Sequence, residues 1–183
     1  MTSLRKLFIS TSLVLAVSTG AVLANPMVGG SAMYPTKNII QNALKSKDHT
    51  TLVAAVKAAG LVATLMGPGP FTVLAPTNEA FAALPAGTVE TLLKPENKAT
   101  LVKILTCHVI AGNVMASTIA KMAKQDGGVH EVKTVGGCIL KLSANGGMVK
   151  ITDEKGGVAR VTIADVRQSN GVIHVINHVL LPK

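Results

Sequence analysis

The stretch Phe71-Thr72-Val73-Leu74-Ala75-Pro76-Thr77-Asn78-Glu79-Ala80-Phe81 decides how the rest of the chain is read. Phe71 to Ala75 is a short, mainly apolar run that follows the breaker Gly67-Pro68-Gly69-Pro70, as a buried strand does. Pro76 cannot donate to a sheet ladder and ends the strand, while Thr77 is a favoured helix N-cap. The stretch is therefore a strand-to-helix corner. Near the other end, Asn170-Gly171 forms a turn before Val172, Ile173, His174, Val175 and Ile176. That strand is apolar on both faces, which places it inside a sheet covered on both sides.

Between and before these corners the apolar residues recur at helical spacing. Thr36 is expected to start a helix with Ile39, Ile40 and Leu44 on its inner face. Thr50 is expected to cap a second, with Leu52, Val53 and Val56 inward and Gly60 as its stop. Leu61, Val62 and Leu65 continue as a short helical piece, and Phe81 and Leu84 belong to another after Thr77. Two further helices are expected around Val89 to Leu93 and around Lys98 to Thr106. Beyond Gly127 the period changes to that of strands, at 130–135, 138–143, 149–153 and 158–163. Asn145-Gly146-Gly147 and Lys155-Gly156-Gly157 are hairpin turns between them. Helices first and antiparallel strands later give an α+β domain over residues 35–183. Residues 25–34, with Gly29, Gly30 and Ser31 and no periodicity, read as a flexible N-terminal arm.

Composition narrows the function. The chain has 183 residues with 18 Lys and Arg against 9 Asp and Glu, hence a net charge of +9. Hydrophobic residues make up 48% and charged residues 15%, which excludes a disordered chain. Three Phe, one Tyr and no Trp leave few faces for bases to stack on, so a nucleic-acid partner is not expected. Arg5 and Lys6, the apolar run from Leu7 to Val17 and Val22-Leu23-Ala24 form the three parts of an export signal over residues 1–24. Cleavage after Ala24 sends the protein to a periplasm or to the exterior, without Arg5 and Lys6, so that 16 basic residues face 9 acidic ones, a net +7. The basic residues are scattered singly, giving a solvated surface that attracts anionic polymers. No membrane-spanning segment is expected in the mature chain, and Leu181-Pro182-Lys183 is not a lipid-anchor tail.

No catalytic constellation or cofactor motif emerges. Gly-rich phosphate loops and a Gly-x-Ser-x-Gly elbow are absent, and His130-Glu131 lacks the second His of a zinc-protease helix because Thr134 stands there. His174 and His178 lie four apart in an extended segment, roughly 13 Å along the strand and too far for one metal ion. With His108 they support only an alternative reading as a small-ligand or metal-binding protein. His174, within an apolar strand, is expected to bond a buried partner. The two cysteines of an exported domain commonly pair, so a Cys107–Cys138 bridge is expected, closing a loop of 138 − 107 = 31 residues.

Phe71 to Phe81 resembles the first signature box of the fasciclin domain family, and Asn170 to Pro182 resembles the second. Leu105 to Gly112 is similar to the family's central Tyr-His segment, with His108 in place and Cys107 where the Tyr stands. Asn177 replaces an acidic residue common in the second box. The resemblance, from Pro35 to Pro182, implies helices packed on an antiparallel sheet wedge, with Thr77, Asn170, Gly171 and His174 as structural motif residues. It also implies a non-enzymatic adhesion or interaction module for a protein or polysaccharide of the cell surface, matrix or envelope. In animal members the Tyr-His segment and an Asp-Ile pair have been associated with integrin adhesion. Here the pair reads Asp165-Val166 and the Tyr is missing, so integrin binding is not carried over. Asp165, Val166 and His108 stand as candidate interaction residues. N-terminal sequencing of the exported protein should begin at Asn25; an intact Met1 in that fraction would overturn the export reading.

Overall fold

A computed structural model describes residues 24–183, so the expected export signal lies outside them but for Ala24. Two short strands, β1 (Met27–Val28) and β2 (Ser31–Ala32), precede the helices α1 (Ile39–Ala43), α2 (Thr50–Ala59) and α3 (Val62–Met66). The corner follows as β3 (Phe71–Pro76) and α4 (Asn78–Ala82), then α5 (Thr88–Leu92) and α6 (Lys98–Cys107). After β4 (Val109–Ala111) and α7 (Ala116–Gln125) come β5 (Val129–Lys133), β6 (Ile139–Asn145), β7 (Met148–Thr152), β8 (Val158–Gln168) and β9 (Gly171–Ile176). Strands β3 to β9 form one seven-stranded sheet in the order β4-β3-β9-β8-β7-β6-β5.

The α+β architecture stands, with one correction to the sheet. β9 pairs in parallel with β3, Phe71 opposite Gly171 and Leu74 opposite His174, so the sheet is mixed and not wholly antiparallel. The central placing of the last strand holds: all six residues of β9 are buried, between β3 and β8. Along the β3–β9 pair, Val73, Ala75, Ile173 and Val175 face the core under α1, α2 and α6. Leu74 and Ile176 face a second core, with Leu140, Leu142, Val149 and Ile151 of the hairpins and Ile119 of α7. Strand alternation thus divides one sheet between two cores.

Local differences have local causes. Residues 25–34 are not a loose arm. Gly29 and Gly30, at φ of 56° and 75°, turn β1 back onto β2. Val28 and Met33 are thereby buried in the first core. The first helix starts later than Thr36, because Asn38 caps it in a reciprocal box with Gln41. Thr50 is the first residue of α2 and not its cap, since a 3-10 turn over Lys47–His49 precedes it. Gly60 ends α2 in the left-handed conformation, and Thr77 caps α4 by accepting from the Ala80 N–H.

Asn170 joins the halves. Its Oδ1 accepts from the Ile39 N–H at 3.1 Å, and its Nδ2 donates to the carbonyls of Leu65 at 2.9 Å and Gly67 at 3.0 Å. Gly171 must be Gly, because a Cβ there would lie 2.0 Å from the Phe71 carbonyl oxygen. Cys107 and Cys138 are joined in a disulfide, with Cα atoms 5.4 Å apart. The bridged loop also docks through backbone bonds, Val135 N to Val109 O at 2.8 Å and Gly136 N to Thr106 O at 3.0 Å. The link ties the end of α6 to the start of β6. Thiol titration of unfolded, unreduced protein should find no free thiol. Reduction should lower stability by about 3–4 kcal/mol for a loop of this length, read as an earlier denaturant midpoint.

Candidate functional site

The residues singled out by sequence fall into two groups, a buried polar framework and an exposed surface. His174 is fully buried in β9. Its Nε2 donates to the Val114 carbonyl at 2.8 Å and its Nδ1 accepts from the Asp165 N–H at 3.2 Å. Thr72, opposite Val172 on β3, donates its hydroxyl to the Gly112 carbonyl at 2.7 Å and accepts from the Val114 N–H at 2.8 Å. Together these side chains fasten the 112–115 segment that leads into α7. Asp165 sits at a bulge in β8 with φ of 59°, and its carboxylate accepts from the Ala116 N–H at 2.8 Å. A residue 49 positions away in sequence thus supplies the cap that Met115 cannot.

His108 is equally committed. Its Nδ1 donates to the Ile104 carbonyl at 2.8 Å, and its Nε2 accepts from the Leu180 N–H at 2.9 Å. The tail after β9 is held further by Asp153, whose Oδ2 accepts from the Leu181 N–H at 2.8 Å while its Oδ1 accepts from Gly157 in the hairpin turn. Both ring nitrogens of His108 and of His174 are used, so neither has a lone pair to offer a metal ion. Among the described residues, no group of three His, Cys, Asp or Glu side chains could hold one.

The candidate interaction residues need correction on the same grounds. Val166 is 1% exposed in the first core and His108 is 2% exposed, so neither can touch a partner. Asp165 is partly exposed, but its carboxylate is engaged at α7. These positions build the fold. Asn78, which sequence reasoning passed over, does the same work: its Oδ1 accepts from the Thr51 N–H and its Nδ2 donates to the Lys47 carbonyl. Asn177 pairs with both backbone groups of Arg160, closing β9 on β8.

The surface is chemically distinct. On strands β5 to β8, the face away from the second core carries Lys133, Lys141, Lys150 and Arg160, all exposed. Lys150 stands directly opposite Arg160. Glu131, opposite Lys141 and 3.7 Å from its Nζ, is the single acidic residue on that face among these strands. Exposed Ile139, Met148 and Val158 lie between the basic residues. A like-charge pair directly across two strands destabilises the sheet, so this arrangement does not contribute to folding.

The buried imidazoles govern acid stability. Burial pushes His108 down to about 4 from its ordinary 6.5, against the opposing pull of the Ile104 carbonyl and Asp153. Burial likewise lowers His174 and His49, opposed by the carbonyls of Val114 and Ala75 and by nearby carboxylates. Each group stays neutral in the fold where the unfolded chain already binds a proton. The contribution of each is complete above about pH 6.5 and is lost as the pH falls below it, for His108 as the pH falls through about 4. His108 alone accounts for on the order of 3 kcal/mol. Urea unfolding should give a clearly lower stability at about pH 4.5 than at pH 7, and equal midpoints would contradict the neutral, buried assignment.

This geometry matches known proteins. The family model for the fasciclin domain matches residues 47–182. A protein of Synechocystis sp. designated sll1483 is 49% identical over 156 residues, covering 85% of this chain and 79% of its own. The transforming growth factor-beta-induced protein ig-h3 of Sus scrofa is 36% identical over 151 residues, 82% of this chain and 20% of its own. In fold, the chain is similar to a FAS1 domain pair from the insect cell adhesion molecule fasciclin I. That likeness has a TM-score of 0.71 and 16% identity, over 79% of this chain and 51% of that one. Boxes, fold and family match agree: this chain belongs to the fasciclin domain family.

Proposed function

We propose that the protein is a secreted or periplasmic, non-enzymatic interaction module that binds an anionic polysaccharide of the cell surface, matrix or envelope. The observation that carries this reading is the open basic face of β5 to β8, where Lys150 opposes Arg160 and Glu131 is the one acid on that face within these strands. An open sheet face suits an extended polymer, because neighbouring strands lie about 4.8 Å apart and each of the four carries an exposed cation. Long Lys and Arg side chains reach a sulfate or carboxylate without rearranging the backbone. Family membership supports the same class, since one fold neighbour is a cell adhesion molecule. No helix among the described residues is long and apolar enough to cross a membrane.

The alternative of a metal-binding role through His108, His174 and His178 finds no support in the geometry, since two of the three imidazoles are fully bonded to backbone groups. Binding to the polymer should be electrostatic, weakening as salt rises. Polygalacturonate, with neutral dextran as control, tests it on immobilised polymer. The double variant Lys150→Gln, Arg160→Gln, which removes both cations and creates no new like-charge pair, should lose roughly tenfold or more in affinity, with unfolding unchanged or improved. Undiminished binding by that variant would sink the reading.

A further inference from the structure

A second site lies in the first core, among the helices. Between α1, α2, α3 and β3 there is a cavity of about 100 Å³ that opens to the surface. Its lining includes Val73, Leu105 and Val109 of the first core, all buried. Its uncharged polar neighbours are His108, Thr106 and Thr64, the last of them exposed. Both nitrogens of His108 are bonded elsewhere, and the Thr106 hydroxyl donates to the Val102 carbonyl at 2.7 Å. A cavity with an almost wholly apolar wall does not hold water well, but does accept apolar ligands.

The mouth has its own chemistry. Leu44 and Val135 line it and are 51% and 54% exposed, apolar area that the folded chain leaves uncovered. Lys57, exposed on the last turn of α2, is the one charged side chain of the lining and makes no salt bridge among the described residues. No acidic residue lines the cavity. An apolar interior, an apolar rim and one unpaired cation describe a ligand with an alkyl tail and a negative head.

We propose that this pocket binds a medium-chain carboxylate, its alkyl end in the cavity and its head paired with Lys57. An apolar cavity of about 150 Å³ admits the six carbons of benzene, so one of this size takes roughly four. An eight-carbon acid leaves chain beyond the cavity to lie along the apolar rim of Leu44 and Val135 towards Lys57, which makes octanoate the probe. The site is independent of the polysaccharide face, and the two stand or fall separately.

Methyl-resolved NMR of the full chain, titrated with octanoate, octylammonium and phosphatidylglycerol vesicles, tests this. Octanoate should shift the methyl resonances of Leu65, Leu105 and Val109, and octylammonium should bind about fivefold more weakly. Lys57→Glu, a surface change that leaves the core intact, should reverse that order. Ala43→Leu, which fills part of the lining, should abolish the shifts while the melting temperature is held or raised. No shift with octanoate up to about 5 mM would overturn the proposal. So would equal binding of the two head groups, shifts confined to β5 to β8, or capture by vesicles where free octanoate fails.

Discussion

The structure depends on one constraint: the parallel pairing of β9 with β3. Those two strands begin 100 residues apart in the chain, at Phe71 and Gly171, and their alternating side chains supply the floor of both cores. A register slip of one residue would turn Val73, Ala75, Ile173 and Val175 away from the helices and bring Leu74 and Ile176 in their place. Register is fixed where the strands begin. There Gly171 lets the two backbones meet at Phe71, and Asn170 bonds the ends of α1 and α3 as the chain enters β9. Helices, sheet and turn are thus specified at a single point.

Burying that strand on both faces leaves the connections around it to be held by polar side chains, and each is fully used. His174 and Thr72 secure the segment before α7, His108 and Asp153 secure the tail, and Asp165 caps α7 across the bulge. Every such bond replaces a bond to water, so the net gain is about 1 kcal/mol each. Removing one partner costs more, because a buried group is left unsatisfied. This explains why the motif residues read as framework. A side chain with all of its bonding capacity spent inside the fold has none left for a partner.

Much of this was legible in the sequence because it is local. The corner at Phe71 to Phe81, the stop at Gly60, the Asn-Gly and Gly-Gly turns and the central last strand follow from residue type and spacing over a few positions. What escaped is non-local. α7 was hidden because its sequence, Ala-Ser-Thr-Ile-Ala-Lys-Met-Ala-Lys-Gln, is polar and begins without a cap of its own. Ile119 and Ala123 gave the helical spacing, but the cap comes from Asp165. β8 runs on to Gln168 where alternation breaks at the same Asp165, whose positive φ creates the bulge. The hairpin at residues 27–32 was missed for a different reason. Gly29-Gly30 is a turn signal, yet strands of two residues carry no period, and only burial of Val28 and Met33 gives them a place.

The same distinction bears on where recognition can lie. The two signature boxes contain residues whose side chains are consumed in holding β3 and β9 together, so two members of the family can share them without sharing a partner. Recognition must come from residues the fold leaves free. Among those left free are the solvent face of β5 to β8 and the mouth beside Lys57. The opposed Lys150 and Arg160 are the clearer instance: the strand pairing gains nothing from two cations facing each other, and it would be better served by one acid in either place. A sheet that keeps such a pair on its open face, while its covered face is packed with Leu140, Leu142, Val149 and Ile151, draws its stability from the covered face. The open face is then free to be shaped by the charge of what it meets.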